Sequence, residues 1–310
     1  MTLAQAPLLT TGAKHSAQTF RMMIRDLSRG AEGVTEGNDL KVTPLTVPAG
    51  GVLVGEGSGI VRGRAVPWQG HYTAYNIGTE QVPIAPTGAS PRTDMVVLRV
   101  LDPEYEGNRN PATDDTVFFD VISGVSSTAT AVPAGYSAIP LARVSLPANT
   151  GTVTAAMITD LRRIANPRRE RSLYPSFPTA LSTLAYSDAK WHVWPAAATW
   201  NVAVPSWATT AKIMLTVAGL RYTKADVFAQ MRQYLGTDVG QATVIDDDQA
   251  NNTRRNTIVL GDTITLSAAA RGTTQRLYVE TYMYKSPTGD LSVDAGTSIF
   301  ADVEFSEGII

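Results

Sequence analysis

ITDLRRIANPRRERSLYPSFP, residues 158–178, is the stretch on which the reading of this chain turns. Five arginines, Arg162, Arg163, Arg168, Arg169 and Arg171, stand among Pro167, Pro175 and Pro178. Proline removes a backbone donor and clustered guanidinium groups resist burial, so a surface connector is expected here. The stretch parts two textures. Upstream the chain is rich in Gly, Pro and short apolar runs; downstream come longer strand-like runs and four of the five tryptophans. The expected organisation is an arm over 1–14, a β-rich domain over 15–164, the connector over 165–185 and a β-sandwich over 186–310. The five arginines are candidate docking or hinge residues. Their plain reading is solvation of the connector or pairing with carboxylates of neighbouring subunits.

The bulk numbers narrow the classes. At 310 residues, with 44% hydrophobic and 17% charged, the chain holds enough apolar material for about two cores. A formal net charge of -2 gives no long-range pull toward nucleic acid or an anionic membrane surface. Cysteine is absent, which excludes disulfides and thiolate metal sites. No apolar run reaches the roughly 18 residues needed to span a bilayer, so no membrane insertion is expected. The opening MTLAQAPLLTTGAKH lacks the basic start and apolar core of a signal peptide. It reads as an exposed or partner-bound arm of a protein made in the cytoplasm.

Working back toward the start, one helix is expected from about Ser16 to Arg29. Ser16 is placed to cap it and Gly30 to end it. Ala17, Phe20, Ile24 and Leu27 recur at helical spacing, which predicts that this stripe lies on a sheet, with Arg21 and Arg25 turned away. Glycines at 33, 37, 50, 51, 55, 57, 59 and 63 then punctuate short apolar segments, the texture of strands joined by hairpins. Within GEGSGIVRG (55–63), Arg62 stands where a dinucleotide loop needs its third glycine, so a β-turn is the better reading. Strands are expected over 71–75, 94–102, 116–122 and 139–146. Met95 to Leu98 are apolar at consecutive positions, as in a strand covered on both faces. The acidic loop 102–108 is expected to solvate a hairpin tip, since calcium ligands would need regular spacing.

Four segments together carry a resemblance: FRMMIRDLSRGAEGVTEGNDLKVTP (20–44), a Gly-rich strand pair with a Val-Arg-Gly step, PRTDMVVLRVLD (91–102), and AIPLARVSLPANTGTVTAAMITDLRR (138–163). In this order they resemble the N-terminal domain of minor tail proteins of actinobacterial siphophages. The PR-x-D-x-VV-x-RV-x-D and PLARV…ITDLR patterns are the most specific. More remotely, the domain is similar to the N-terminal domain of upper baseplate proteins of lactococcal phages. The resemblance covers about half the chain. It implies a β-rich domain that docks into a phage tail tip beside other tail proteins, as a homotrimer. It carries over no catalytic residue.

Downstream, period-two alternation takes over. Ile213, Leu215 and Val217 alternate with Lys212, Met214 and Thr216, and Val227, Ala229 and Met231 with Phe228, Gln230 and Arg232. The same holds for Leu277, Val279, Thr281 and Met283 against the tyrosines, and for Ile299, Ala301, Val303 and Phe305 against Phe300, Asp302 and Glu304. With 257–260 and 263–266 added, about eight strands fall within roughly 115 residues, which suits a sandwich or jelly roll. Chemistry is sparse. Asp246, Asp247 and Asp248, with Asn251 and Asn252, lack the spacing of a calcium loop and read as a polar loop. His15, His71 and His192 form no zinc motif, and no G-x-S-x-G elbow occurs. Carboxylates Asp290, Asp294, Asp302 and Glu304 read as an alternating strand face. No metal, no cofactor and no catalytic residue are expected.

Aromatic residues are more suggestive. Trp191, Trp194, Trp200 and Trp207 crowd together, and Tyr278, Tyr282 and Tyr284 share the non-core face of one strand. Flat rings stack on sugars and anchor interfaces. For each tryptophan the plain reading is a core plug; the outward tyrosines point more to an interface. These seven are the candidate contacts for a host cell-surface glycan or a partner. The expected protein is mainly β and non-enzymatic: a structural tail-tip or baseplate component of a virion, assembled in the host cytoplasm, with no nucleic-acid partner. It would dock through its first half and present the sandwich for host attachment. The alternatives are a purely architectural tail protein and a wall-polysaccharide depolymerase, which would need a carboxylate pair in a groove.

Overall fold

The computed structural model describes residues 11–184, 189–248, 252–286 and 288–310. Most of the expected arm (1–10), the expected start of the second domain at 186, and Asn251 lie outside them. The chain forms two units, Met1–Pro167 with Ile309–Ile310, and Arg168–Gly308.

The first unit opens on α1 (Ala17–Leu27). The Ser16 hydroxyl accepts the Thr19 N–H at 3.2 Å, satisfying one orphan donor. At the other end the Gly30 N–H closes on the Arg25 carbonyl at 2.8 Å, with Gly30 at φ +74. These ends match the sequence reading; the buried face does not. Phe20 is exposed and Leu27 is 73% exposed, whereas Arg21 is the helix's buried residue at 7%. Arg21 can be buried because its donors are met. Nε donates to the Gln69 carbonyl at 2.9 Å, and the two terminal nitrogens reach Asp102 at 3.1 Å and Glu104 at 2.8 Å. The rings of Tyr72 and Tyr105 flank the guanidinium. The acidic loop 102–108, expected to solvate a hairpin tip, is what anchors the helix.

Ten strands follow: β1 (Gly33–Val34), β2 (Val42–Pro44), β3 (Gly51–Val54), β4 (Gly57–Arg62), β5 (His71–Asn76), β6 (Glu80–Pro83), β7 (Arg92–Val100), β8 (Val117–Ile122), β9 (Ala138–Leu146) and β10 (Ile158–Asp160). They pair antiparallel in three sheets, ordered β1-β4-β5, β2-β3-β6 and β10-β9-β7-β8. The glycine-rich 55–63 segment runs into β4. As expected, β7 is covered on both faces: Val96 and Leu98 enter the main core of the unit, while Met95 and Val97 enter a smaller one with Ala138 and Leu161. Its Arg92 grips the fully buried Asp94 at 2.8 Å, which also accepts the Gly124 N–H at 3.1 Å. Gly33, at φ +142, is required where it stands, since a Cβ there would lie 2.0 Å from the Arg163 carbonyl. That close approach lets Val34 exchange hydrogen bonds with Arg163 and Ala165.

The second unit contains β11 (Arg169–Ser176), β12 (Ser182–Leu184), β13 (Trp191–Val193), β14 (Thr199–Ala203), β15 (Thr210–Thr223), β16 (Val227–Leu235), β17 (Asp238–Val239), β18 (Thr243–Asp247), β19 (Arg254–Thr265), β20 (Thr274–Met283), β21 (Asp290–Val293) and β22 (Ser298–Ser306). One sheet runs β11-β22-β15-β21-β12 with β19 on β15; the other runs β13-β20-β16-β17 with β14 on β20 and β18 on β16. The residues read as inward are inward. Ile213, Leu215, Val217, Ile299, Ala301 and Val303 face Val227, Ala229, Met231, Leu277 and Val279 in one core. This is the expected β-sandwich.

Three expectations change. The stretch read as a connector, over 165–185, holds β12 and, before it, strand β11, in unbroken antiparallel register with β22 from Arg169 opposite Ser306 to Ser176 opposite Ile299. It lies at a sheet edge, where arginine and proline are the residues that keep an unpaired strand from recruiting another. The same composition therefore serves an edge strand as well as a linker. The unit boundary falls at Pro167/Arg168. The two strands expected at 257–260 and 263–266 are one, β19, which runs straight through Gly261. Asp246 and Asp247, read as loop, end β18, and Asp247 is ion-paired with Arg254. After β22 the chain returns to the first unit, where Ile309 packs on the core and the Ile310 N–H donates to the Gly37 carbonyl at 3.0 Å.

Candidate functional site

Strand alternation builds one outward face on the β13-β20-β16 sheet. Because opposed residues share a face, the register puts Trp191 beside Tyr282, Gln230 beside Tyr282, Arg232 beside Glu280, and Tyr234 beside Tyr278. Inward neighbours Leu277, Val279, Thr281 and Met283 are buried, so the tyrosines between them can only point out. The rings are half-buried because they cover one another.

The contacts are continuous. Phe228 and Tyr284 stack at 4.3 Å, Tyr284 meets Tyr282 edge-on at 4.8 Å, and Tyr282 leans on Trp191 at 5.6 Å. Arg232 lies over the Trp191 ring at 3.9 Å and over Tyr234 at 5.0 Å; Tyr234 stacks on Tyr278 at 5.0 Å, and Arg276 covers Tyr278 at 4.7 Å. Polar groups pin this row. Glu280 holds Arg232 at 2.9 Å, and Gln230 donates to the Tyr284 hydroxyl at 2.7 Å. Burial, with Glu280 nearby, pushes the Tyr234 hydroxyl above its ordinary pKa, keeping it a neutral donor. Val193 and Val244 are exposed beside the row. The result is a strip of flat π faces edged by amide, carboxylate and guanidinium groups. Such a strip can stack on planar or ring-shaped apolar faces and hydrogen-bond at their rims.

Of the seven aromatic candidates, the structure brings four together here: Trp191, Tyr278, Tyr282 and Tyr284. The other three tryptophans serve the sandwich interior. Trp194 is a core residue whose Nε1 donates to Ser182 at 3.1 Å; Trp200 packs on the core and donates to the Pro175 carbonyl at 3.3 Å; Trp207 packs on the core beneath Arg168. Sequence reasoning missed Phe228, Arg232 and Tyr234. Their signal was present, since they are the non-core positions of the β16 alternation.

The five arginines do not act as one group. Arg162 is buried, gripping Asp160 at 2.7 Å and donating to the carbonyls of Gly37 at 3.2 Å, Asp39 at 2.7 Å and Ile310 at 3.1 Å. The exposed Arg163 contributes its main-chain carbonyl to Val34. Arg168 clasps Glu307 at 2.5 Å, Arg169 approaches Glu304 at 3.9 Å, and Arg171 holds Asp302. The Arg171 hydrogen bonds keep the Asp302 carboxyl below its ordinary pKa. Burial opposes ionisation of Glu307, but donors from Arg168 prevail and lower its pKa as well. These four arginines thus pair with carboxylates of their own unit. Asp290 and Asp294 likewise have cations, Lys224 at 2.6 Å and Arg255 at 2.7 Å.

Among the described residues no cluster of three or more His, Asp or Glu side chains is placed to hold a metal ion, and no helix is long and apolar enough to cross a membrane. No family model matches the chain, and no curated protein matches it. Solved structures that overlap it include infectious bursal disease virus Gx strain, at 10% identity over 90% of this chain and 80% of that one with a TM-score of 0.28. The VP2 subviral particle of the same virus overlaps at 11% identity, 90% and 78% coverage and a TM-score of 0.27. The Cry4Aa toxin of Bacillus thuringiensis overlaps at 9% identity, 89% and 54% coverage and a TM-score of 0.22. At such TM-scores the overlap carries no argument about fold or function.

Proposed function

We propose that this chain is a structural protein of a phage tail tip that docks through its first unit among other tail proteins, as a homotrimer, and meets a host-surface glycan through the aromatic face of its second unit. The observation that carries the reading is the strip Phe228–Tyr284–Tyr282–Trp191–Arg232–Tyr234. Sugar rings present C–H faces to aromatic rings and hydroxyls to flanking amides and charges, and this strip offers both. Two features support the docking half. The most specific of the segments that resemble minor tail proteins, 91–102 and 138–163, contain the central strands β7 and β9 of the first unit. Their motif residues Arg92, Asp94, Asp160 and Arg162 are occupied in holding the unit together, as expected of a scaffold.

The test uses the full chain carrying Trp191→Ala, Tyr282→Ala and Tyr284→Ala, with binding to purified host walls measured by sedimentation of fluorescent protein. Removing three stacked rings is expected to weaken wall binding at least about a hundredfold, at roughly 1–3 kcal/mol per ring. Free wall sugars should compete with the wild type. Velocity sedimentation of wild type and variant alike is expected to give the mass of three chains. Unchanged wall binding by a folded variant overturns the glycan reading and leaves the strip as a contact for neighbouring tail proteins. A monomer at micromolar concentration overturns the homotrimer.

A further inference from the structure

A recess of about 250 Å³ opens at the end of α1 in the first unit, lined by Arg25, Gly30, Arg62, Gly63, Pro67, Gly70 and His71. Arg25 and Arg62 are exposed and make no ion pair among the described residues. At the end of α1 the carbonyls of Ile24, Arg25 and Asp26, though not that of the final Leu27, are taken by the N–H groups of Ser28, Gly30 and Arg29 at 2.8–3.1 Å, which leaves only part of the helix's negative end turned to solvent. His71 is the buried member, 2% exposed. Its Nε2 lies 3.2 Å from the Gly30 carbonyl, which can only accept, so Nε2 carries the hydrogen. Nδ1 is buried with no protein partner.

The charges acting on His71 come from three segments. Arg25 of α1 and Arg62 of β4 both oppose its protonation, and Glu32 favours it. Glu32 is itself held by Arg64 at 2.6 Å. Burial and the two guanidinium groups keep His71 below its ordinary pKa, so it is neutral near neutrality. Two exposed guanidinium groups give the recess a surplus of positive charge, and His71 in its wall keeps a lone pair at Nδ1 that solvent does not reach.

We propose that this recess binds a small oxyanion, a carboxylate or a sulfate- or phosphate-class group, between Arg25 and Arg62, with His71 taking up one proton from solvent as the anion enters. The anion cancels part of the two guanidinium charges that, after burial, oppose the imidazolium. Because the complex holds a proton that the free protein does not, affinity rises as pH falls from neutral and levels off below the pKa of free His71. The oxyanion has two sources, a free ion or an acidic side chain of a neighbouring chain.

Sulfate is the probe for the full-length protein, because it stays a dianion throughout the range of interest. By calorimetry, saturable binding is expected to tighten several-fold between pH 7.5 and 6.0. Arg25→Gln with Arg62→Gln alters only exposed, unpaired side chains, so the fold is kept. That variant should lose about tenfold or more in affinity and the pH dependence with it. In the wild type, sulfate should move the His71 imidazole nitrogen shifts toward those of imidazolium. No saturable binding, or binding indifferent to the double variant, overturns the site. An unmoved imidazole overturns the proton uptake. N-acetylglutamate amide binding more tightly than sulfate assigns the recess to an acidic side chain; the reverse order assigns it to a free tetrahedral ion, and both uphold it.

Discussion

Arg162 commits its guanidinium to Asp160 and to the carbonyls of Gly37, Asp39 and Ile310, whereas Arg163, next in the chain, leaves its side chain exposed. Removing donors from buried carbonyls costs their desolvation as well as the bonds themselves. Arg162→Met is therefore expected to destabilise the first unit by about 1–3 kcal/mol, and Arg163→Met to change it by less than about 0.5 kcal/mol. Thermal unfolding of the two variants side by side reads the difference, and equal losses would refute it. Nothing local distinguishes the two arginines in the sequence. Apart from Asp160, two residues before it, the partners of Arg162 lie 123 to 148 residues away along the chain, and a charge pattern holds no information about such distances. The outward tyrosines were legible, because alternation with buried Leu277, Val279 and Met283 fixes which way they point. Trp194 and Trp200 were not assignable, since each sits where a short strand or turn decides its direction.

At the scale of elements, α1 shows what periodicity counts and what it omits. The stripe Ala17, Phe20, Ile24 and Leu27 is real, yet Arg21 carries the docking because Asp102, Glu104 and the Gln69 carbonyl surround it. Arg21→Met should free the helix without unfolding the sheets. Amide exchange over 17–27 is expected to speed up about tenfold or more, for a loss of roughly 1.4 kcal/mol, while protection in β7 and β9 stays. Retained protection in α1 would return the credit to the apolar stripe. The strands of the second unit were the most legible elements, each announcing one core face. Strand β11 was the least, because residues that blunt an edge are also those that make a linker.

For the molecule as a whole, the chain divides at Pro167/Arg168, inside the arginine-rich stretch, and the return of Ile309 and Ile310 to the first unit had no sequence signal. Two isolated isoleucines at the end of an alternating strand look like its frayed tail. The second unit is thus an insertion whose ends are joined: Arg168 and Glu307 pair by side chain and by main chain, and β11 zips onto β22 directly after. A fragment spanning 168–308 is expected to fold alone, whereas one starting at Leu173 lacks Arg168, Arg169 and Arg171 and leaves Asp302, Glu304 and Glu307 without those partners. Cooperative melting of the first and a broad or lower transition for the second is the expected pair of results, read by circular dichroism. Identical melting would mean that the neck adds nothing.

The closed neck also has a mechanical meaning. Tension on the second unit reaches the first covalently at Pro167/Arg168 alone; at the other end the packing of Ile309 and the hydrogen bonds of Ile310 resist it. The chain is built as one cord with a latch beside it, and the latch can open while the cord holds.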